Sequence, residues 1–148
     1  MAFSSPYLDE RVLDGVVGLL IVEASGRANA MTVSFFSEGA HHPTSLWVSI
    51  SRTTHTYTLL SRTDRFSLAV LSRGQRDIAL LCGTTSGREH DKCAALKLYR
   101  SPGGFLFLEG ALASTACTVR RAHPVDDHSL LIGDIVESEL DPSTVPRS

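Results

Sequence analysis

A turn followed by a strand decides the fold, and it lies in the stretch Gly26-Arg27-Ala28-Asn29-Ala30-Met31-Thr32-Val33-Ser34. Successive side chains of a strand point to opposite faces, so Met31 and Val33 share an apolar face. Thr32 and Ser34 share the other face, where their hydroxyl groups donate and accept hydrogen bonds. Asn29, which is the chain's one asparagine, adds an amide. A strand with these groups is suited to holding a flat heteroaromatic ring edge-on without charge.

The sequence on either side predicts further strands separated by short helices. Residues 16–23 form an almost continuous apolar run, which is typical of a strand buried on both faces. Residues 45–51 alternate between apolar and polar side chains, which indicates another strand. Other strands are expected over residues 28–36, 65–71, 110–121 and 128–139, and short helices over residues 53–60, 75–82 and 91–98.

The order of these elements predicts a mainly β fold. Six or seven consecutive strands with brief helical connections favour a split antiparallel β-barrel of Greek-key type, with short inserted helices. Parallel βαβ units need longer crossover helices than most of these gaps allow. The chain of 148 residues is expected to form a single domain over residues 1–148, with a core at about 10–140 and a C-terminal tail at 141–148.

Composition and charge argue against several classes of function. The formal net charge of -2, with mixed signs, gives no broad basic face, so no nucleic-acid partner is expected. The apolar run at residues 16–22 is far shorter than a membrane span, so no membrane partner is expected either. The start of the chain lacks the pattern of a secretory leader, and the three cysteines are an odd number. Both features predict reduced thiols in a cytoplasmic protein.

Metal and phosphate-loop motifs are not recognisable. The spacings of Cys82, His90 and Cys93 match no paired metal-binding pattern, so no metal site is expected. The glycine-containing stretch at residues 83–87 lacks the lysine and hydroxyl residue of a phosphate-binding loop. A nucleotide would therefore bind through another architecture.

Five motifs, in the same order along the chain, resemble those of the flavin reductase-like family, whose members bind FMN or FAD in a split β-barrel. The resemblance covers about residues 10–140. The motifs are Asn29-Ala30-Met31-Thr32-x-Ser34; Ser49-x-Ser51-Arg52 with Thr56; residues 66–71 with Gln75 and Ile78-Ala79; Asp91-Lys92; and Asp127-His128 with residues 132–136. Three positions depart from the family pattern: Thr44 replaces a proline, Cys93 a phenylalanine and Asp126 a glycine.

The resemblance implies that two segments contact the flavin. Contacts to the isoalloxazine ring would come from Asn29, Met31, Thr32, Val33 and Ser34. At the start of the helix over residues 53–60, unpaired N–H groups, hydroxyl groups and a guanidinium suit a phosphate. The phosphate contacts would come from Ser49, Ser51, Arg52 and Thr56. The same residues also fit an ordinary half-buried strand and a helix cap with surface hydroxyls.

Three further positions take their roles from the resemblance. Lys92 would lie near the flavin and stabilise the reduced ring, which is anionic at neutral pH. Cys93 would occupy the position at which members of the family have a phenylalanine that contacts the flavin. His128 would be the catalytic residue on the nicotinamide side, where it orients the carboxamide or donates a proton. A solvated lysine and a turn histidine are the ordinary explanations of Lys92 and His128.

The function implied by the resemblance is an NAD(P)H-dependent flavin reductase. Hydride would pass from NADH or NADPH to N5 of FMN, or less favourably FAD, and electrons would then pass onward, with a monooxygenase as a possible partner. The family resemblance also implies a homodimer. Two alternatives stay open: a flavin-binding electron-transfer module without NAD(P)H activity, and a split barrel that binds another ligand such as haem.

Overall fold

Nine strands and two short α-helices make up residues 16–41, 44–84 and 91–141, the part of the chain that the computed structural model describes. The strands are β1 (Gly18–Ala24), β2 (Arg27–Val33), β3 (Phe36–His41), β4 (Thr44–Ser51), β5 (Arg65–Val70), β6 (Leu98–Arg100), β7 (Leu106–Leu108), β8 (Ala113–Val125) and β9 (His128–Leu140). The helices are α1 (His55–Leu60) and α2 (Arg76–Thr84), with 3-10 turns at Arg73–Gln75 and Lys92–Ala95. All but the first residue of the predicted tail lies outside the described residues.

Seven strands form one antiparallel sheet in the order β2-β1-β5-β8-β9-β4-β3. Its edge strands, β2 and β3, are consecutive in the chain and are joined only by Ser34 and Phe35. The sheet therefore has to curl until its two edges come close, which makes it a barrel. The edges approach without a β2–β3 ladder among the described residues, and the backbone N–H of Ser49 donates to the Phe35 carbonyl at 2.9 Å. This arrangement confirms the predicted split antiparallel barrel.

Strand β1 is buried on both faces, as its apolar run predicts. Leu20 and Val22 pack inside the barrel with Phe66. Leu19 and Ile21 pack on the opposite face in a second apolar layer. Other members of that layer come from α2 and the segments after it: Cys82, Leu96, Leu108 and Ala111. Helix α2 is thereby fixed against β1 and β2, next to the predicted ring-binding strand.

The structure corrects the predicted number and bounds of the strands. Residues 28–36 were expected to form one strand, but β2 ends at Val33 and a separate β3 begins at Phe36. The chain turns at Ser34 and Phe35 because β3 pairs with β4 rather than continuing β2. Strands β6 and β7 have three residues each, too few to show an alternating pattern, and they form a separate small sheet.

The hairpin of β8 and β9 is longer than the sequence predicts. Strand β8 begins at Ala113 instead of residue 110 and runs on to Val125 instead of ending at residue 121. Residues 120–127 are exposed, and polar exposed residues do not distinguish a strand from a loop. Helix α2 also continues through Gly83 to Thr84, although Gly83 was expected to end it. The extension of α2 brings Gly83 and Thr84 into the wall of the site described below.

Candidate active site

A cleft of about 380 Å³ lies where the two edges of the sheet approach each other. Its size is in the usual range for small-molecule and cofactor sites. Its walls come from β2, β4, the start of α1, the end of α2, the 3-10 turn at Lys92–Ala95 and the start of β9. The lining residues are Asn29, Met31, Thr32, Val33, Ser34, Phe35, Ser49, Ile50, Ser51, Thr53, Thr54, His55, Thr56, Cys82, Gly83, Thr84, Lys92 and His128.

The cleft brings together all the predicted site residues except Arg52 and Cys93. These residues come from segments that are up to a hundred positions apart in the chain, from β2 to the start of β9. Hydroxyl, amide and apolar groups dominate the walls, and none of the lining residues that the structure describes is a carboxylate. The surface of the cleft can therefore accept a planar polar molecule or an anion without carboxylate repulsion.

Asn29 and Thr56 join the two segments that are predicted to contact a flavin. The Asn29 side-chain amide donates to the Thr56 hydroxyl at 2.9 Å, and the two residues are 3% and 0% exposed. A buried hydrogen bond of this kind fixes β2 against α1 and is costly to break because it would leave one partner unsatisfied. It uses only one of the two amide N–H groups. The structure thus gives both residues a structural role in addition to their place in the cleft wall.

Thr32 connects the same strand to helix α2. Its hydroxyl donates to the Ala79 carbonyl at 2.6 Å. Gly83 lies over the Thr32 side chain, where an added Cβ would be 3.4 Å from the Thr32 hydroxyl oxygen. The hydroxyl proton of Thr32 is therefore directed away from a ligand, whereas its oxygen keeps a lone pair. Ser34 is exposed at the end of β2 and also lines the cleft.

The turn between β4 and α1 is rich in hydroxyl groups. Thr54 caps α1, because its side-chain oxygen accepts from the Tyr57 backbone N–H at 3.2 Å. Ser51 and Thr53 share a hydrogen bond of 2.9 Å between their hydroxyl oxygens. These residues, with Thr56 and His55, line one end of the cleft. The predicted start of the helix near residue 53 is confirmed, and the predicted phosphate contacts there remain a prediction.

Lys92 is a buried cation in the cleft wall. The residue is 5% exposed, and its ammonium donates to the Cys82 carbonyl at 3.2 Å. No carboxylate of the described residues lies within ion-pair distance of it. Burial lowers the pKa of the Lys92 ammonium, because desolvation disfavours its charged form. An anionic ligand in the cleft would supply a negatively charged partner for the Lys92 ammonium.

The cysteines next to Lys92 are unreactive in this environment. Burial raises the pKa of the Cys93 thiol to about 11 and also raises the pKa of the Cys82 thiol. Both thiols are therefore protonated near neutral pH and are poor nucleophiles. Cys93 packs in the second apolar layer, with Leu19 and Ile21, and does not line the cleft. Its predicted contact with a cofactor therefore remains a prediction.

His128 begins β9 and lies opposite Ser51 of β4. Its ring Nδ1 is 2.8 Å from the Asp127 carboxylate, and its side chain is 32% exposed. The hydrogen bond with His128 lowers the pKa of the Asp127 carboxyl. The imidazole ring is thus held by Asp127 and is reachable from solvent at the mouth of the cleft. A group that acts on an incoming substrate needs both properties.

Arg52 does not face the cleft. Its guanidinium donates to the carbonyl groups of His128, at 3.1 Å, and Asp126. Its backbone N–H also donates to the Asp127 carbonyl at 3.1 Å. The side chain expected to bind a phosphate is therefore attached to the β8–β9 turn in this structure.

Sequence reasoning missed several residues of the cleft. Phe35 is 51% exposed at its edge, and no periodic pattern separated it from its strand neighbours. Gly83 and Thr84 enter the wall because α2 extends beyond its predicted end, and Cys82 enters it because α2 packs on β2. His55 follows the helix cap and could have been inferred from the expected start of the helix.

The model of the family described as "Flavin reductase like domain" matches residues 13–146. The chain belongs to this family. Family membership agrees with the resemblance found in the motifs and supports a flavin reductase function. It also accounts for the split barrel and for the cleft between its edges.

Individual relatives of the family agree with this assignment. The chain is 27% identical over 136 residues to the actinorhodin polyketide dimerase of Streptomyces coelicolor, covering 92% of this chain and 75% of that one. It is 29% identical over 113 residues to an NADH-dependent flavin reductase of Rhodococcus sp, covering 76% of this chain and 61% of that one. The crystal structure of an FMN-binding protein from Thermus thermophilus with bound p-hydroxybenzaldehyde is 29% identical and superposes with a TM-score of 0.84, covering 88% of this chain and 74% of that one.

Two further findings concern alternative roles. In residues 16–41, 44–84 and 91–141, no three His, Cys, Asp or Glu residues are grouped so that they could hold a metal ion. Within the same ranges, neither helix has the length and apolar character that crossing a membrane requires.

Proposed function

We propose that this chain is an NAD(P)H-dependent flavin reductase that binds FMN, or less favourably FAD, in the cleft at the split of the barrel. The observation that carries the proposal is a cleft whose described wall contains the buried cation Lys92 and no carboxylate, in a flavin reductase like domain. The relative from Rhodococcus is named as NADH-dependent, which favours NADH over NADPH as the reductant.

The residues of the cleft suit a flavin. An isoalloxazine ring presents carbonyl and ring-nitrogen acceptors along one edge, and the remaining amide N–H of Asn29, the Ser34 hydroxyl and backbone N–H groups of β2 are matching donors. Met31 and Val33 offer apolar surface on the same strand. The Lys92 ammonium, which donates to the Cys82 carbonyl, fits a ring that gains negative charge on reduction.

Protein groups in such a reductase bind and orient rather than form bonds. A bound flavin accepts a hydride and passes electrons onward, and this redox chemistry belongs to the cofactor. Strand β2, held by the bonds of Asn29 to Thr56 and of Thr32 to Ala79, would fix the position of the ring. His128, held by Asp127, would orient the nicotinamide carboxamide of the reductant at the mouth of the cleft.

A homodimer completes the proposal. The outer face of β4 and β9 carries exposed apolar side chains beside the cleft: Trp47, which lies opposite Ile132, is 39% exposed and Val136 is 54% exposed. These two side chains flank Asp134, which is ion-paired with Arg120, and exposed apolar groups on a sheet face are typical of an interaction site. We propose that a second copy of the chain covers this face of β4 and β9. We also propose that the protein acts in the cytoplasm and that a monooxygenase receives the electrons.

Anaerobic reduction tests the proposed function. Purified protein mixed with FMN and NADH is expected to bleach the flavin absorbance, with parallel trials using FAD and NADPH. Tight flavin binding without bleaching by either nicotinamide would assign the chain to the electron-transfer module instead. Failure to retain either flavin in equilibrium dialysis would overturn flavin binding, and the absorption spectrum of the purified protein would then show whether haem or another chromophore is present.

A further inference from the structure

Arg52 makes three hydrogen bonds to the turn that joins β8 and β9, which lies next to the end of β4. Its two terminal guanidinium nitrogens donate to the carbonyl groups of His128 and Asp126, and its backbone N–H donates to the Asp127 carbonyl. These contacts span more than seventy positions in sequence. One residue at the end of β4 therefore holds all three carbonyl groups of the turn from Asp126 to His128.

The turn that Arg52 holds has an unfavourable backbone conformation. Val125 pairs with His128, so Asp126 and Asp127 form a two-residue hairpin connection. Asp126 has φ of 54°, in the left-handed region that favours glycine, and an aspartate side chain adopts it at a cost. Residues 120–127 are exposed, so little packing stabilises the turn. The Arg52 guanidinium is the described side chain that connects it to the body of the barrel.

The geometry of the guanidinium conflicts with a role in binding a phosphate. Bidentate recognition of an oxyanion uses two parallel N–H groups of the planar guanidinium. In this structure both terminal nitrogens of Arg52 are directed to carbonyl groups of the turn, and Arg52 does not line the cleft. The hydroxyl groups of Ser51 and Thr53 lie in the cleft wall without its help.

We propose that Arg52 is a positioning residue that holds the turn at residues 126–128 and thereby fixes His128 at the mouth of the cleft. This proposal rests on the proposed function in one respect, that His128 meets the nicotinamide. Arg52 then acts on the reaction through His128 and contacts neither the flavin nor the reductant. Loss of its guanidinium would release the turn and misplace His128, while the contacts to the flavin would remain.

The affinities for FMN and riboflavin separate this role from phosphate binding, because the two flavins differ only by the phosphate. We would measure both dissociation constants by flavin fluorescence for the wild type, Arg52→Ala, Arg52→Lys and the control Arg62→Ala, which removes an exposed arginine just after α1. The ratio of the two constants is expected to be the same in all four proteins. A loss of about 10-fold or more in FMN affinity alone, as removal of a charge-assisted phosphate contact predicts, would overturn the proposal.

Hydrogen exchange and kinetics give the positive signals. Amide exchange in residues 126–128 is expected to accelerate in Arg52→Ala but not in Arg62→Ala. With NADH and FMN, the kcat/KM for NADH is expected to fall by about 10-fold or more, since small misplacements of a positioned group have effects of this size. Lysine has one nitrogen and cannot span two carbonyl groups, so Arg52→Lys is expected to restore little of either signal.

These measurements test the positioning role of Arg52 separately from the proposed enzyme function. Unchanged exchange in the turn of a folded Arg52→Ala protein would overturn the positioning role, whatever the enzyme activity. Should Arg52→Ala fail to fold, the same comparison is made with Arg52→Lys. If the wild type shows no turnover with either nicotinamide, the proposed function fails, whereas the exchange data and the ratio of flavin affinities still decide whether Arg52 holds the turn.

Discussion

The side-chain amide of Asn29 donates to the hydroxyl of Thr56 at 2.9 Å, and both residues are buried. This bond joins the strand proposed to hold the flavin ring to the helix beside the hydroxyl-rich turn. The two parts of the cleft are thus fixed relative to each other before any ligand binds. Preorganisation of this kind lowers the conformational cost of binding.

The Asn29–Thr56 bond is expected to show strong coupling in a double-mutant cycle. Thr56→Val leaves the buried amide unsatisfied and is expected to lower the free energy of unfolding by about 1–3 kcal/mol. Replacing both partners, in Asn29→Leu with Thr56→Val, is expected to recover part of that loss, since neither polar group then remains. Urea denaturation measures both, with the exposed Ser61→Ala as the control. Purely additive losses would show that the bond is absent in solution.

Thr32, on β2, and Ser34, just after it, are expected to differ although both line the cleft. Thr32→Val removes the bond to the Ala79 carbonyl and is expected to lower the free energy of unfolding by about 1 kcal/mol. Ser34→Ala changes an exposed residue and is expected to leave stability within about 0.5 kcal/mol. If Ser34 contacts the flavin, its replacement weakens flavin binding alone. Denaturation and flavin titration of both variants test this, and unchanged flavin affinity in Ser34→Ala would remove that contact.

Lys92 is expected to make the free energy of unfolding depend on pH in the alkaline range. Burial lowers its pKa below the usual value of 10.5, so between the two values the unfolded chain binds more protons than the folded one. Stability of the ligand-free protein therefore rises with pH through that window. Lys92→Met removes the rise and, below the window, is expected to increase the free energy of unfolding by about 1 kcal/mol.

Lys92→Met, which is expected to stabilise the ligand-free protein, is expected to destabilise the reduced form of a bound flavin. Without the ammonium, a flavin that becomes anionic on reduction loses a favourable charge interaction. The midpoint potential of bound FMN is therefore expected to be more negative in Lys92→Met than in the wild type, and spectroelectrochemistry measures it. Lys97→Met, which changes an exposed lysine, is the control. Equal potentials in Lys92→Met and the wild type would place this lysine away from the ring.

The Asp127 carboxyl is expected to titrate below its usual range because of its contact with His128. The hydrogen bond with His128 lowers the pKa of the Asp127 carboxyl, so the carboxylate and its contact persist above the usual value of 3.8 and are lost as the pH falls through the lowered value. In His128→Gln the pKa of Asp127 is expected to return towards 3.8. Carboxyl chemical shifts followed by NMR over pH 2–6 measure the change, and an unshifted titration in the wild type would exclude the contact.

The sequence predicts the barrel because local patterns, such as the alternation at residues 45–51 and the apolar run of β1, identify strands. Most of the cleft is predicted through the family resemblance of the motifs in β2 and in the turn before α1, since their hydroxyl residues alone also fit an ordinary strand and a helix cap. What a single sequence does not show is which partner a polar group takes. Asn29 bonds to Thr56, and Arg52 bonds to a turn more than seventy positions away, the latter because β4 pairs directly with β9.

The apolar face of β4 and β9 is expected to be the homodimer interface. Trp47→Arg places a charge in the centre of this face, which would have to be desolvated on association, and it is expected to shift the protein to a monomer. Tyr99→Arg is the matched control, because Tyr99 is also 39% exposed but lies on β6 in the small sheet. Val136→Arg repeats the test at a second position of the same face. Sedimentation velocity measures the mass of each protein. A wild type that sediments as a monomer, or a Trp47→Arg dimer, would show that a second copy does not cover this face.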